Sequence, residues 1–595
     1  MPQPTTPRLL AAALTLSCGA LLTGPGCNSP MDVVGDDDLR SSLLESHRRF
    51  LASVSGAGTV TVEREQSEVE ASMSEERRRT VDEMSGMEAY ADTELTTGLN
   101  LQGLNNQDTV IDLSLQRAVA LAVRYNLDLQ SARLTPAIAE TQITQAEADF
   151  DAVIFANADW SVLDDPAVGD GGTLAGLTSD QQRDLLDLNV GIRKRLITGG
   201  QVQLETTASR IDEDPTLADT VPYFDTDVLL SVSQPLLRGF GRQVATAQIS
   251  LAQNAQQVAV QELRSNLIEL VDAVEEAYWD LLFSRQQLLI QAQLLERTIE
   301  ERDRIEARRD FDATQIRLTE ANSFVELRRA DVIRARQQWR LASDQLKRLL
   351  NAPSLPLADE ALILPTDNPI DEPLTFSLMD AVTTALRERP ELRTALLDIA
   401  DTGIRRNVAN NNILPLLDLS AGIRLNGVSG EDIPDSYSEL GEADYIDYLL
   451  GLDFELPVGN RAAEALLAQR TLERRQAVLE YRRSAQDVVL EIKNALRNII
   501  TQHDLIGAAR AARRAAADNL RGINVQQEAG VELTPEFLLD LKLSAQQRLA
   551  DAETQEVRAL SDYMIAISEL FRVQGTLLER NGIVFDTDAL EDLGE

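Results

Sequence analysis

Histidine and cysteine are almost missing from this chain: its 595 residues include two of each. Cys18 and Cys27 sit near the N-terminus, and His47 and His503 are far apart. A structural zinc site needs about four such ligands, so none is credible here. No GxSxG, P-loop or glycine-rich dinucleotide motif offers a nucleophile or a phosphate cradle, and neither an enzyme nor a cofactor is expected. Aromatic residues make up 4% of the chain, lean for globular cores of this size. Basic charge is also short, 56 Lys and Arg against 96 Asp and Glu, for a net charge of −40. That balance argues against a nucleic-acid partner, whose phosphates need a basic surface to displace counterions. After the first 27 residues no uninterrupted apolar run is long enough for a transmembrane helix, which needs about 18 residues or more.

What the chain does have is a change of period, made twice. Leu450, Leu452, Phe454 and Leu456 alternate with Gly451, Asp453 and Glu455, the mark of a strand with one apolar and one polar face. After Pro457 and Gly459 the spacing becomes helical: Val488, Ile492, Ala495, Ile499, Ile506 and Ala509 form a seam with one interruption at Gln502. This predicts a helix from near Arg461 to Glu528, roughly 100 Å long at 1.5 Å per residue. The same junction occurs earlier. Val228, Leu230 and Val232 alternate with Leu229, Ser231 and Ser233, Pro235 takes the place of Pro457, and a second seam runs Leu267, Val271, Val274, Tyr278, Leu281, Leu288, Ala292, Leu295 and Ile299. The opening segments match too: Leu115, Ala118, Val119, Ala122, Leu129, Ala132 and Ala146 pair at constant offset with Leu378, Ala381, Val382, Ala385, Leu392, Ala395 and Ala409. The pattern reads as an internal duplication.

In chain order, residues 1–27 read as a secretory signal, with Arg8, an apolar run from Leu9 to Leu22 and small residues before Cys27. Gly26 before Cys27 suits a lipid anchor at Cys27; an ordinary signal with an incidental cysteine is the other reading. Residues 28–112 are acidic and poor in aromatics, and a disordered or loosely helical tail is expected, with a collar-wrapping segment as the functional alternative. The first repeat covers 113–352, a proline-rich linker 353–375, the second repeat 376–582, and a C-terminal tail 583–595.

Each opening helix, expected to run to Asp149 or Asn412, leads into a strand. Ile154, Ala156, Ala158, Trp160 and Val162 face away from Asn157, Asp159 and Ser161; Leu417, Leu419, Ala421, Ile423 and Leu425 oppose Asp418, Ser420, Gly422, Arg424 and Asn426. The candidate lipid-facing residues are Ile154, Ala156, Trp160, Val228, Leu230, Val232, Leu419, Ala421, Ile423, Leu450, Leu452 and Phe454. Loops are expected at 164–179 and 427–444, and a segment from Leu188 to Arg210 with a turn at Thr198-Gly199-Gly200 is either two more strands or an external flap. Each long helix then breaks, at Arg309-Asp310-Phe311-Asp312-Ala313 and at Ala529-Gly530-Val531-Glu532-Leu533-Thr534-Pro535, before a return to Leu350 and about Val573.

Two-faced strands can cross a bilayer only in a closed barrel, because lipid offers no partner to an open edge. Two clear strands per repeat give four per chain, fewer than the eight of the smallest closed barrels, so chains must pool them.

The motifs Ser233-Gln234-Pro235-Leu236-Leu237-Arg238-Gly239, Leu456-Pro457-Val458-Gly459-Asn460-Arg461 and Gly530-Val531-Glu532-Leu533-Thr534-Pro535, in a duplicated helix-strand-strand-helix order, resemble the TolC-type outer membrane efflux protein (OEP) family. The resemblance covers about Leu113 to Gly582. It implies an α+β membrane protein: a homotrimer whose 12-stranded outer-membrane β-barrel continues into a long periplasmic α-helical barrel. The implied role is the exit duct of a tripartite efflux pump or type I secretion system. Its partners would be outer membrane lipid, a periplasmic adaptor (membrane fusion) protein and an inner-membrane RND, ABC or similar transporter. The resemblance places an acidic aperture ring at Asp540, with Glu536 one turn earlier, and adaptor-facing tips at Asp310, Phe311, Asp312, Gly530, Val531, Glu532 and Leu533. Gln527 and Glu532 stand where the best-known members carry an aperture-locking tyrosine and arginine. The competing reading is a coiled-coil envelope scaffold without a channel.

Overall fold

The two changes of period are changes of secondary structure. The computed structural model describes residues 59–62, 67–90, 110–165, 181–214, 222–308, 315–529 and 535–585. Strand β1 (Thr59–Thr61) precedes two small helices, α1 (Glu68–Ser72) and α2 (Glu75–Met84), capped by the side chains of Ser67 and Ser74. Strand β2 (Val110–Leu113) leads to helices α3 (Leu115–Tyr125) and α4 (Leu127–Glu147). Four strands follow: β3 (Ala152–Asp165), β4 (Gln181–Arg195), β5 (Gln201–Asp214) and β6 (Tyr223–Pro235). Helix α5 (Ala247–Ala307) and its return α6 (Gln315–Leu350) complete the first half. After β7 (Leu362–Pro365) and β8 (Thr375–Ser377) come α7 (Leu378–Glu388), α8 (Pro390–Asn411), β9 (Leu416–Ser429), α9 (Ile433–Glu442) and β10 (Ile446–Glu455). Helices α10 (Arg461–Glu528) and α11 (Pro535–Gln574) follow, and a single turn, Leu577–Arg580, comes after them.

Helix α10 has 68 residues and begins where expected, because Gly459 (φ 88°) and Asn460 (φ 28°) turn the chain out of the strand after Pro457. Its buried seam runs Val488, Ile492, Ala495, Ile499, His503, Ile506 and Ala509. The polar interruption is therefore His503, whose ring packs 5.6 Å from that of Tyr563, and not Gln502. In α5 the buried positions follow the expected seam as far as Leu288, then move to Leu294 and Thr298.

The opening helices are not continuous. Each breaks at the same offset, at Asn126 and at Arg389-Pro390. Asn126 accepts from Leu129 N–H through its side chain, and Pro390 takes the first position of α8, so each break is also a helix start. The span 427–444 is likewise not a loop, since β9 extends to Ser429 and α9 occupies most of the remainder.

Six strands form one antiparallel sheet in the order β10-β9-β6-β5-β4-β3. The expectation of four strands per chain is corrected: the segment from Leu188 to Arg210 lies in two further ladder strands, β4 and β5, and is not an external flap. It was ambiguous in sequence because its apolar face carries Lys194, Thr206 and Arg210 among the aliphatic residues.

The β4–β5 turn is held to the β6–α5 junction. Thr198 Oγ1 donates to Gln234 Oε1 at 2.7 Å, Gln234 Nε2 donates back to Thr198 O at 3.2 Å, and Gly241 N donates to Thr198 O at 3.1 Å. Gly199 has φ 92°, and a Cβ there would lie 2.2 Å from Gly239 O. Only glycine fits between the two turns. Gly199→Ala should therefore destabilise the fold by at least about 2 kcal/mol, read as a lower denaturation midpoint of the purified protein. An unchanged midpoint would mean that the turn does not depend on this close approach.

Candidate functional site

The register of the sheet sorts side chains into two faces. One row reads Ile154, Ile192, Leu204, Leu230, Ile423 and Tyr448 across all six strands, and the next Ala156, Val190, Thr206, Val228, Leu425 and Ile446. The sequence-assigned residues Ile154, Ala156, Trp160, Val228, Leu230, Val232, Leu419, Ala421, Ile423, Leu450, Leu452 and Phe454 all fall on this apolar face. Much of it is bare: Leu450 is 81% exposed, Trp160 73% and Phe454 63%. A bare apolar face of this extent needs an apolar solvent or a partner.

The opposite face is polar. One row there is Asn157, Asn189, Thr207, Asp227 and Asn426, and the neighbouring row begins Asp159, Asp187, Ser209 and Asp225. Gln201, Gln203 and Glu205 hydrogen-bond in sequence along β5, and Ser209 donates to Asp187. Arg193 lies over the Phe155 ring, which covers the backbone at Gly191. Among the described residues no helix is long and apolar enough to cross a membrane, and no cluster of His, Cys, Asp and Glu could hold a metal ion.

At the far end of the long helices Asp540 is exposed, two turns into α11. Glu536 lies in the first turn of that helix, and its side chain falls outside the described residues. The tip residues Asp310, Phe311, Asp312, Gly530, Val531, Glu532 and Leu533, and the anchor candidate Cys27, also lie outside the described residues. A residue that sequence reasoning passed over ties this end together. Lys542 is 4% exposed; its ammonium pairs with Glu301 of α5 and donates to Gln527 Oε1 of α10 at 3.1 Å. Arg304 also reaches Glu301, at 2.5 Å. One buried cation thus bridges three helices just behind the tip, and losing one partner of such a pair costs far more than losing a surface pair.

Within the acidic N-terminal stretch, residues 59–62 and 67–90 are described and lie against the long helices and β8. β1 pairs antiparallel with β8, and α2 packs Val81 against Ala517, Leu520, Ile523, Ala545 and Leu549. Arg513 donates to Ser85 O at 2.8 Å and to Asp82 at 2.9 Å while pairing with Glu556; Arg514 joins Asp82 at 2.8 Å and Glu70 at 2.6 Å. Burial opposes ionisation of Asp82, but the hydrogen bonds from Arg514 and Arg513 outweigh it and hold the carboxyl below its ordinary value. Tyr90 then donates to Glu553 at 2.5 Å, packed beside Leu289, Ile290 and Leu294 of α5. Residues 67–90 thus form a strap across α10, α11 and α5.

A sheet with one apolar and one polar face, joined to paired helices of this length, is a fold this chain shares with solved outer-membrane channels. In sequence it is similar to two curated bacterial proteins. It is 28% identical over 364 residues to the alkaline protease secretion protein AprF of Pseudomonas aeruginosa, covering 59% of this chain and 69% of that one. It is 25% identical over 203 residues to the outer membrane protein TolC of Vibrio cholerae, covering 32% of this chain and 43% of TolC. The fold matches the Campylobacter jejuni CmeC outer membrane channel with a TM-score of 0.57 at 14% identity, covering 84% of this chain and 94% of that one. No family model matches the chain.

One buried carboxyl on α5 makes the helical region less stable at neutral pH than in mild acid. Burial pushes Asp272 up to about 6, although Arg572 lies 3.2 Å away and Ser568 donates to it. The folded pKa lies above the unfolded one, so the stability this group contributes is present below about pH 4 and is lost as pH rises through about 6. Asp272→Asn should be more stable than the parent at pH 7, by up to about 3 kcal/mol, and its thermal midpoint should vary less between pH 4 and 6. Parallel pH profiles for the two proteins would remove Asp272 as the cause.

Proposed function

We propose that three copies of this chain close their sheets into one barrel in the outer membrane and continue it, through their long helices, as a periplasmic tube. The assembly is a passive exit duct, and each copy carries a duplicated helix-strand-strand-helix unit. The observation that carries this reading is the pair of sheet edges. β3 and β10 have no outer neighbour in the sheet, and with six alternating strands they run antiparallel to each other, so the β10 edge of one copy suits the β3 edge of the next. A ring of copies then leaves no open backbone, the only way a sheet can sit in lipid.

In this reading the polar sheet face lines the bore and the apolar face meets lipid. A periplasmic adaptor protein meets the tips near residues 310–312 and 530–533, and an inner-membrane transporter of the RND, ABC or a similar class supplies the energy. Asp540, with Glu536 one turn earlier, gives three carboxylates around the axis, a ring that attracts cations. Lys542 paired with Glu301 stands in for the locking tyrosine and arginine, whose places Gln527 and Glu532 take. The relative named for protease secretion favours polypeptide cargo over small drugs.

The test is purification in mild detergent followed by planar-bilayer recording. A trimer by light scattering with cation-selective channels is the expected result, and Asp540→Asn should reduce that selectivity several-fold. Lys542→Met should raise single-channel conductance by loosening the tip. A monomer that is extracted without detergent and conducts nothing would favour the envelope scaffold instead.

A further inference from the structure

The four helices that meet the sheet lie side by side in the order α4, α5, α8, α10. Each continues one strand: α4 runs into β3, β6 into α5, α8 into β9 and β10 into α10. Strands β4 and β5 have no helix of their own. They stand between β3 and β6, whose helices α4 and α5 nevertheless pack directly on each other. β3 does not pair with β6 at all, so the hairpin is part of the ladder and its removal would leave two edges unjoined. The hairpin also obeys the faces of its neighbours. Leu188, Val190, Ile192, Val202 and Leu204 continue the apolar rows, while Asp187, Asn189, Thr207 and Ser209 continue the polar ones.

Simple geometry gives this insertion a purpose. Twelve helices packed about 9 Å apart make a ring roughly 110 Å around. Twelve strands about 4.8 Å apart and tilted about 40° make a ring of only about 75 Å, whereas eighteen make about 115 Å. Two extra strands per chain therefore bring the barrel to the girth of the tube beneath it.

Resting on the duct reading above, we infer that the trimer closes an eighteen-stranded barrel whose bore is wide enough for a helical hairpin. The backbone diameter is about 36 Å instead of about 24 Å for twelve strands. After side chains, about 25 Å remains free, against about 14 Å. A helix with its side chains is about 10–12 Å across, so the narrower bore admits one and the wider bore admits two abreast.

The experiment uses the full-length trimer in intact outer membranes, with single cysteines at the polar-face positions Asn189→Cys and, as a second site on the hairpin, Thr207→Cys. Asn157→Cys on β3 serves as the bore reference, and the unsubstituted chain gives the background from Cys27. Maleimide-linked polyethylene glycols of graded radius are added from outside. All three sites should label, with a cut-off near a polymer radius of about 12 Å. If Asn157→Cys labels with a cut-off near about 7 Å and the hairpin sites do not follow it, the barrel has twelve strands and the inference is overturned while the duct stands. If Asn157→Cys itself fails to label in a membrane-inserted trimer, the polar face does not line the bore and both readings fall. A strand count from the imaged trimer decides the case directly should a cysteine variant not assemble.

Discussion

A strand edge cannot be left open in hydrocarbon, and this chain has two. Every other feature of the sheet follows from that constraint. In the proposed barrel the unpaired N–H and C=O groups along β3 and β10 would each cost several kcal/mol in lipid, so the apolar face would be usable only once another copy covered them. Insertion and association would then be one event. The apolar row from Ile154 to Tyr448 has no shelter inside a single copy, and the polar row beside it has no reason to face lipid. Between them they fix which way a closed sheet must curve.

The long helices were legible because their signal is repeated many times over: α10 begins and ends within a residue of the expectation read from Pro457, Gly459 and its apolar seam. The apolar strand residues were equally plain, since alternation leaves no choice of face. What escaped the sequence was whatever depends on distant partners. The β4–β5 hairpin carries Lys194 and Arg210 on its apolar face, which weakens the alternation, and its turn is fixed by Gln234 and Gly239 far along the chain. The strap was invisible for the same reason. Its acidic composition argues for disorder, yet Arg513 and Arg514 hold it from more than 400 positions away. Lys542 reads as one more charge on a helix until Glu301 is seen opposite it. Asn126 and Pro390 were local signals passed over, helix starts inside otherwise unbroken apolar patterns.

The helical half is held by buried charge to an unusual degree. Arg513 and Glu556, Lys542 and Glu301, and Tyr90 and Glu553 are nearly shielded from water, and each links helices that apolar seams alone would leave free to slide. Such pairs contribute little net stability over an apolar alternative, but they penalise every arrangement in which the partners are separated. Helix α6 carries a tie of the same kind, since the buried Lys347 pairs with Asp344 and donates to Asp359 O.

Helix α9 closes off one end of the sheet from within the chain. β9 extends past the end of β10, and there its backbone is occupied: Val428 N–H donates to Glu439, Ser436 donates to Gly427 O, and Asn426 N–H reaches Tyr445 O. Gly427 is needed because a Cβ would collide with Ser436 O. The helix leans over β9 and β6, with Ser436 bonded to Thr226 and Tyr437 to Thr206 of β5. It is a clasp: three strands from distant parts of the chain are buttoned together at their ends, so the sheet does not fray from that side.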